Sequence, residues 1–403
     1  MGSKIDRRDF IKQFSAASAA LLTYLNYGTG ESIGGSPEAE APPNIIIILC
    51  DALSARHLSL YGYERETAPN LTRFAEQATV YHAHYAAGNF TVPGVASLLT
   101  GTYPWSHRAF HHAGEVAEEY EPRSVFTLLG GAYNRVAYPH NIWVHLLLNQ
   151  FHKHIDLYLS PQTFSVFDDM PYAQLLPPGA NIGLRSFQRL LFRDLGFPGS
   201  FLFSLINQLR TYLWKETHID HYREIYPRGL PSLGPTTDVL FTLEDVTDGI
   251  ADLTNQLVQP FFAYYHLFPP HDPYHPRREF ANLFDDRGPQ ATKQQHFFSQ
   301  GHSDESLRQK RREYDQYVAY ADSEFGRLYD LMEAAGTLDN GYVIVTSDHG
   351  ELFERGIWGH DTQVLYEPVI RVPLIISRPN QRWRDDIYER TSCVDLAPTL
   401  LQI

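Results

Sequence analysis

The chain has 403 residues, 43% of them hydrophobic and 13% aromatic, which is ample for the core of one or two α/β domains. A net charge of −14 without a basic cluster argues against nucleic acid as a partner. Two cysteines, Cys50 and Cys393, imply no disulfide framework, although a single bond between them stays open. No uninterrupted apolar run of about 18 residues occurs, which speaks against a spanning helix.

The chain opens with "KIDRRDFIKQFSAASAALLTYL", in which Arg7 and Arg8 precede Phe10, Lys12 and a mildly apolar Ala/Ser-rich stretch. This resembles a twin-arginine export signal, so a periplasmic or extracellular location is expected; an ordinary amphipathic helix and a cytoplasmic location are the alternative. Residues 27–43, rich in Gly, Ser, Pro and Glu, read as a flexible linker. Residues 1–43 are thus set apart from a catalytic domain over 44–403.

"NIIIILCD" (44–51) is a continuous apolar, β-branched run, the pattern of a buried parallel strand. "FFAYYHL" (261–267), "YVIVTSD" (342–348) and "VPLIIS" (372–377) have the same character, and 305–335 carries helical periodicity. Strands alternating with helices predict an α/β fold with a mostly parallel sheet flanked by helices. Chemistry in such folds sits beyond the carboxyl ends of the strands. Asp51 ends the first strand, Asp348-His349-Gly350 ends the third, and His266, His271 and Asp272 go with the second. Residues 150–235 read as an irregular aromatic-rich insert. Within it, 186–215 mixes bulky apolar residues with Arg and Lys, which suits either a buried helical pair over the site or a membrane-surface contact.

Asp51, Asp348 and His349 offer two carboxylates and an imidazole to a divalent cation; the carboxylates suit Mg, Ca or Mn, and the imidazole admits Mn or Zn. "NFTVPGVASLLTG" (89–101) is a small-residue turn feeding a helix, with Pro93 in its first turn and Thr91 at or near its N-cap. Thr91 there is a helix cap, a metal ligand, or both. Metal coordination acidifies a hydroxyl, and a helix N-terminus favours an anion.

Five segments, "PNIIIILCDALSARHLSLYGYERETAPNLTRFA" (43–75), "TVPGVASLLTGTYPWSHR" (91–108), "HLFPPHDPYHP" (266–276), "VTSDHGELFERGIWGHDTQVLYEPVIRVPLII" (345–376) and "CVDLAPTLL" (393–401), resemble in order the sulfatase branch of the alkaline-phosphatase superfamily. The resemblance implies that Asp51, Asp348 and His349 hold one divalent metal. It also implies that Thr91 is the nucleophile and a fourth ligand, and that His271 and His360 hold the transferred anion or protonate the leaving oxygen. Sulfatases carry Cys or Ser at the nucleophile position, oxidised to formylglycine. Thr91 is a secondary alcohol whose oxidation gives a ketone, so no formylglycine is expected. Threonine here is similar to lipoteichoic acid synthases and phosphoethanolamine transferases, which implies phosphoryl transfer.

Other positions depart from the pattern. Val95 stands at the arginine position and Ala52 at a second acid. The family's lysine is absent near "PHNIWVHLL" (139–147), where His140 or His145 is the candidate substitute, and Arg355, which stands where relatives often have a histidine, is either a bidentate anion clamp or a surface charge. The sequence ends within "DLAPTLLQI", so the C-terminal subdomain that the resemblance implies is expected to be missing. The reading is a metal-dependent hydrolase or transferase of phosphoric, before sulfuric, esters. The alternatives are a sulfuric ester hydrolase with an unusual nucleophile and a non-catalytic binder. A small anionic ester, a glycan or a lipid headgroup is the expected substrate, and the oligomeric state is undetermined.

Overall fold

Strand β1 (Asn44–Cys50) is buried at every position, as a run of four isoleucines between two covered faces requires. The structure is a computed structural model and describes residues 42–167, 201–234, 239–284 and 293–403. The export-signal reading, the membrane-contact reading of 186–200 and part of the insert fall on 1–41, 168–200 and 235–238, outside the described residues.

Around β1 the chain builds an eight-stranded sheet. Its other strands are β2 (Thr79–Tyr85), β3 (Asn134–Pro139), β4 (Leu157–Tyr158), β5 (Phe261–Leu267), β6 (Gly341–Thr346), β9 (Leu374–Ser377) and β10 (Asp385–Ser392), in the order β10-β2-β9-β6-β1-β5-β3-β4. A separate hairpin is formed by β7 (Leu352–Glu354) and β8 (Ile357–Gly359). β1 pairs in parallel with β5 and β6, and β3 with β5 and β4, so the expected mostly parallel α/β fold is found. The strand expected at 372–377 is present as β9 and runs antiparallel to both its neighbours, β6 and β2.

Alternate residues of β1 point to opposite layers. Ile46 and Ile48 join a core with Leu71 and Phe74 of the helix α1 (Pro69–Ala75), with Tyr314, Tyr317 and Phe325 of the helix α6 (Asp304–Ala334) and with Val246 and Ile250 of the helix α5 (Leu243–Thr254). Ile45, Ile47 and Leu49 face Val92, Val95 and Leu98 of a helix on the other side, α2 (Thr91–Thr100), and Leu147 of α3 (Ile142–Asn149). Each such side chain contributes roughly 1.5–3 kcal/mol on burial. The helix expected at 305–335 is α6, started by Ser303, whose hydroxyl accepts from the Ser306 N–H.

Cys50 belongs to one layer and Cys393 to the other, with the sheet between them, and both are free. The bond left open by the sequence is therefore not formed. The insert also differs from expectation. It holds a 25-residue helix, α4 (Phe201–Ile225), where an irregular segment was expected, and the described part of that helix leaves Leu209, Tyr212 and Leu213 exposed, against the buried-pair alternative for 186–215.

Candidate active site

Three chain segments meet at the carboxyl edge of the central strands. Asp51 follows β1, Asp348 and His349 follow β6, and Thr91 opens α2. All four are buried, Thr91 at 3% exposure and the other three at 0%. Thr91 is the first residue of the helix rather than its cap. Phe90 holds the cap position without a side-chain bond, which leaves the threonine hydroxyl free to face the carboxylates. The helix comes this close because Gly94 has no side chain: a Cβ there would stand 3.2 Å from the Cβ of Asp348 and press on its carbonyl.

Each carboxylate has one satisfied oxygen and one bare oxygen. Asp51 Oδ2 accepts from Asn141 Nδ2 at 2.6 Å and from His266 Nε2 at 3.0 Å. Asp348 Oδ1 accepts from the backbone N–H groups of His349 at 3.0 Å and Ala52 at 3.3 Å. Asp51 Oδ1 and Asp348 Oδ2 are buried without a hydrogen-bond partner. They lie 3.4 and 3.7 Å from a single atom, His349 Nε2, and Thr91 Oγ1 lies 3.3 Å from the same nitrogen. The other ring nitrogen, Nδ1, is 2.9 Å from the Gly350 carbonyl, an acceptor, so it carries the hydrogen and leaves Nε2 with a lone pair in the neutral ring.

Two bare carboxylate oxygens, an imidazole lone pair and a hydroxyl oxygen therefore converge with a positive charge wanting among them. The electrostatics agree. Burial alone lowers the His349 imidazole, yet Asp348 and Asp51 outweigh it and push it up to about 10. Burial raises Asp51, but His271, His266 and His349 hold it well below the carboxylate range. Burial and the charge of Asp51 raise Asp348. This donor chemistry fits a hard divalent cation.

Asp51, His266 and Asp348 also offer ligand atoms that lie within 4.8 Å of one another, a possible metal site. In this hydrogen-bond pattern His266 orients rather than ligates. Its Nδ1 is 3.3 Å from the Tyr264 hydroxyl, and its Nε2–H points to Asp51 Oδ2.

A row of imidazoles leads outward. The His360 ring is 4.2 Å from that of His349 and 4.9 Å from that of His271. Glu351 lies 3.2 Å from His360 Nδ1, and burial pushes its carboxyl up to about 7. Burial lowers His360, and His349 and His271 depress it further. His271 moves the other way: burial lowers it, but Asp51, Asp272 and Glu351 together raise it.

Three sequence expectations are corrected. His145 does not replace the absent lysine; it packs against Tyr158, whose hydroxyl is 2.8 Å from its Nδ1. His140 is buried against Tyr138 and Phe241, where burial holds it at about 3, and its neighbour Asn141 is the residue that reaches Asp51. Arg355 is no anion clamp: its guanidinium lies over the Tyr366 ring at 4.6 Å, with Glu354 3.4 Å from its Nε. Asn141, His266 and Glu351 were not assigned roles from the sequence. His266 carried the one available signal, a histidine at the carboxyl end of a buried strand.

Comparison with known proteins gives the same fold. A family model described as Sulfatase matches residues 43–403. The choline-sulfatase of Rhizobium meliloti (strain 1021) is 24% identical over 381 residues, covering 90% of this chain and 67% of the relative. The N-acetylgalactosamine-6-sulfatase of Sus scrofa is 30% identical over 111 residues, 28% of this chain and 21% of that protein. The crystal structure of the phosphonate monoester hydrolase of Agrobacterium radiobacter superposes with a TM-score of 0.62 at 18% identity, over 89% of this chain and 73% of that one.

Proposed function

We propose that this chain, which belongs to the sulfatase family and is a sulfatase-like ester hydrolase, transfers a substituted phosphoryl group through the Thr91 hydroxyl. The observation that carries the reading is the convergence of Thr91 Oγ1 and the bare oxygens of Asp51 and Asp348 on His349 Nε2, at 3.3, 3.4 and 3.7 Å. In this reading Asp51, Asp348, His349 and Thr91 hold one divalent ion. Such an ion supplies Lewis acidity to the ester and lowers the pKa of a hydroxyl beside it.

The chain's own groups account for the rest. Asn141 and His266 fix Asp51 through Oδ2, and its free Oδ1 stays 3.4 Å from His349 Nε2, the nitrogen that Thr91 Oγ1 also approaches. Thr91, its proton released to solvent, attacks phosphorus in line as the bond to the ester oxygen breaks, and its position in the first turn of α2 sets backbone N–H groups toward the transferred anion. His271, which burial lowers but Asp51, Asp272 and Glu351 raise, gives a proton to the departing oxygen, and the depressed His360 holds the transferred group. Glu351 holds Nδ1 of His360, and its Nε2 lies 3.8 Å from Asp361 Oδ1. Water or an acceptor alcohol then releases the group from Thr91. A secondary alcohol cannot supply the aldehyde hydrate that lets a sulfated intermediate collapse, which favours phosphorus over sulfur.

The family match and the choline-sulfatase relative favour a second reading, sulfuric ester hydrolysis. Paired aryl sulfate and aryl phosphodiester assays with added Mn, Mg, Ca or Zn separate the two. Intact-protein mass spectrometry after incubation with the phosphodiester should show an adduct on the peptide carrying Thr91. Thr91→Ala should abolish turnover, and wild-type turnover by that variant would refute the proposal.

A further inference from the structure

The turn that follows Asp51 adopts a backbone conformation its sequence does not favour. Ala52 has φ 63°, in the left-handed region, and is buried. An L-alanine there brings its Cβ against the following carbonyl, a cost that glycine escapes. The backbone groups of the turn show what holds it. The Asp51 N–H goes to the Leu267 carbonyl of β5 at 2.9 Å, and the Ala52 N–H goes to Asp348 Oδ1 at 3.3 Å. The Leu53 N–H goes to Ser347 Oγ at 2.9 Å, and that hydroxyl donates to the His349 carbonyl at 2.6 Å. The Ala55 N–H goes to the Arg371 carbonyl at 3.0 Å. These bonds tie the turn to its neighbours, whereas Tyr314 ties it to itself. The Tyr314 hydroxyl donates to the Ala52 carbonyl at 2.7 Å and accepts from the Ser54 N–H at 3.0 Å, so it clasps the residues on either side of Leu53.

Tyr314 lies on α6 and is fully buried. Burial pushes its phenol well above the usual value, so the hydroxyl keeps the proton it gives to Ala52. Its ring is fixed edge-on to Tyr274 at 5.6 Å and lies 5.2 Å from Phe353. The next residue, Asp315, is bonded by His57, Tyr63 and Arg65, which pins α6 where the phenol reaches the turn. Asp51 directly precedes Ala52, and the Ala52 N–H occupies the satisfied oxygen of Asp348. Rotation of Ala52 out of the left-handed region would therefore swing one carboxylate and remove a bond from the other. The tyrosine governs both, although its two bonds go to backbone atoms.

We infer that Tyr314 is a positioning residue: its hydroxyl locks the left-handed turn at Ala52 and so presets the free oxygens of Asp51 and Asp348 for a divalent cation. The inference rests on the reading of those two carboxylates as cation ligands. It adds that the site is organised from α6, on the far side of the turn from Thr91.

The test uses four variants, with Mn and Zn affinity measured by calorimetry and amide exchange over 52–54 followed by mass spectrometry. Tyr314→Phe keeps the ring and should weaken cation affinity by about 10- to 100-fold, with faster exchange at 52–54. Ala52→Gly alone should bind as the wild type does. Combined with Tyr314→Phe it should restore affinity to within about threefold of wild type, because glycine takes positive φ without the penalty. Tyr226→Phe, which removes a phenol that serves Glu244 and Tyr320 instead, is the control for a lost buried hydroxyl. It should lower the melting temperature without changing cation affinity. Wild-type affinity in Tyr314→Phe, or a loss that Ala52→Gly does not recover, overturns the inference and leaves the cation reading standing. A wild-type protein that takes up no Mn, Zn, Mg or Ca overturns the cation reading and with it the preset, while faster exchange at 52–54 in Tyr314→Phe keeps the lock on the turn.

Discussion

Replacing Gly94 by alanine perturbs the site without touching any group proposed to react. A methyl group there would stand 3.0 Å from the carbonyl carbon of Asp348 and 3.2 Å from its Cβ, and would crowd the carbonyl oxygen more severely. Relaxing carbon–carbon contacts to about 3.7 Å requires helix α2 and the Asp348 loop to part by on the order of 1 Å. Two stability effects then oppose each other. Alanine in a helix gains about 1 kcal/mol over glycine, and overpacking costs about 1–3 kcal/mol. The net loss is small for a chain of this size, so the protein should fold with its melting temperature lowered by only a few degrees. Thr91 lies one turn from Gly94 on the same helix and shares the displacement. A shift of about 1 Å in a reacting group costs roughly 100-fold in rate. The expected signature is thus a large fall in kcat/KM on an aryl phosphodiester, weaker binding of Mn or Zn in competition with a chromogenic chelator, and a nearly unchanged melt. Gly131→Ala, where an added Cβ meets nothing within 4 Å, is the control and should leave all three unchanged. A Gly94→Ala protein with wild-type turnover and cation affinity would show that the close approach of α2 to Asp348 does not set the geometry, and the reasoning would fail.

The positions that orient Asp51 make a second prediction: Asn141→Ala and His266→Ala should each weaken divalent-cation affinity by roughly 10- to 100-fold. His266→Gln, which keeps a donor, should recover part of the loss; full affinity in both alanine variants would remove the orienting role. His84 makes a third. Burial holds its pKa at about 3 against an ordinary 6.5. A depressed imidazole contributes stability above the unfolded value and loses it as pH falls toward the folded one. From about pH 7 to about pH 5 the protein should therefore lose about 2 kcal/mol relative to His84→Gln in urea denaturation, and parallel pH profiles would contradict this. Fourth, Asp315 is buried between His57 at 2.7 Å, Arg65 at 2.6 Å and Tyr63 at 2.6 Å. Asp315→Ala removes the carboxylate that these three groups share and should cost about 3–5 kcal/mol, measurable as a fall in the denaturation midpoint.

What the sequence made legible follows from where its signals are local. The isoleucine run of β1, the β-branched run of β6 and the periodicity of α6 depend on neighbouring residues, and each is found within a residue or two of its expected place. Asp51, Thr91, Asp348 and His349 were picked out by motif and by strand ends, and the structure brings them together. What escaped the sequence is the direction in which side chains turn. Asn141 bonds Asp51 across 90 residues and His266 does so across 215, and nothing near either residue announces that partner. Arg355 looked available to an anion because the Tyr366 ring that occupies it lies eleven positions later. The sense of β9 depends on which strands flank it, a property of the whole sheet rather than of "VPLIIS".

The placement of the two thiols has a practical consequence. Cys50 and Cys393 sit on opposite sides of the sheet, and burial pushes both up to about 12, so neither reacts while its surroundings stay closed. Each is thus a built-in clock for one half of the molecule. The rate at which an alkylating reagent labels Cys50 times the opening of the α5–α6 side, and labelling of Cys393 times that of the α2–α3 side. Unequal rates would reveal that the protein loosens one half at a time, and equal rates would mark a single cooperative opening.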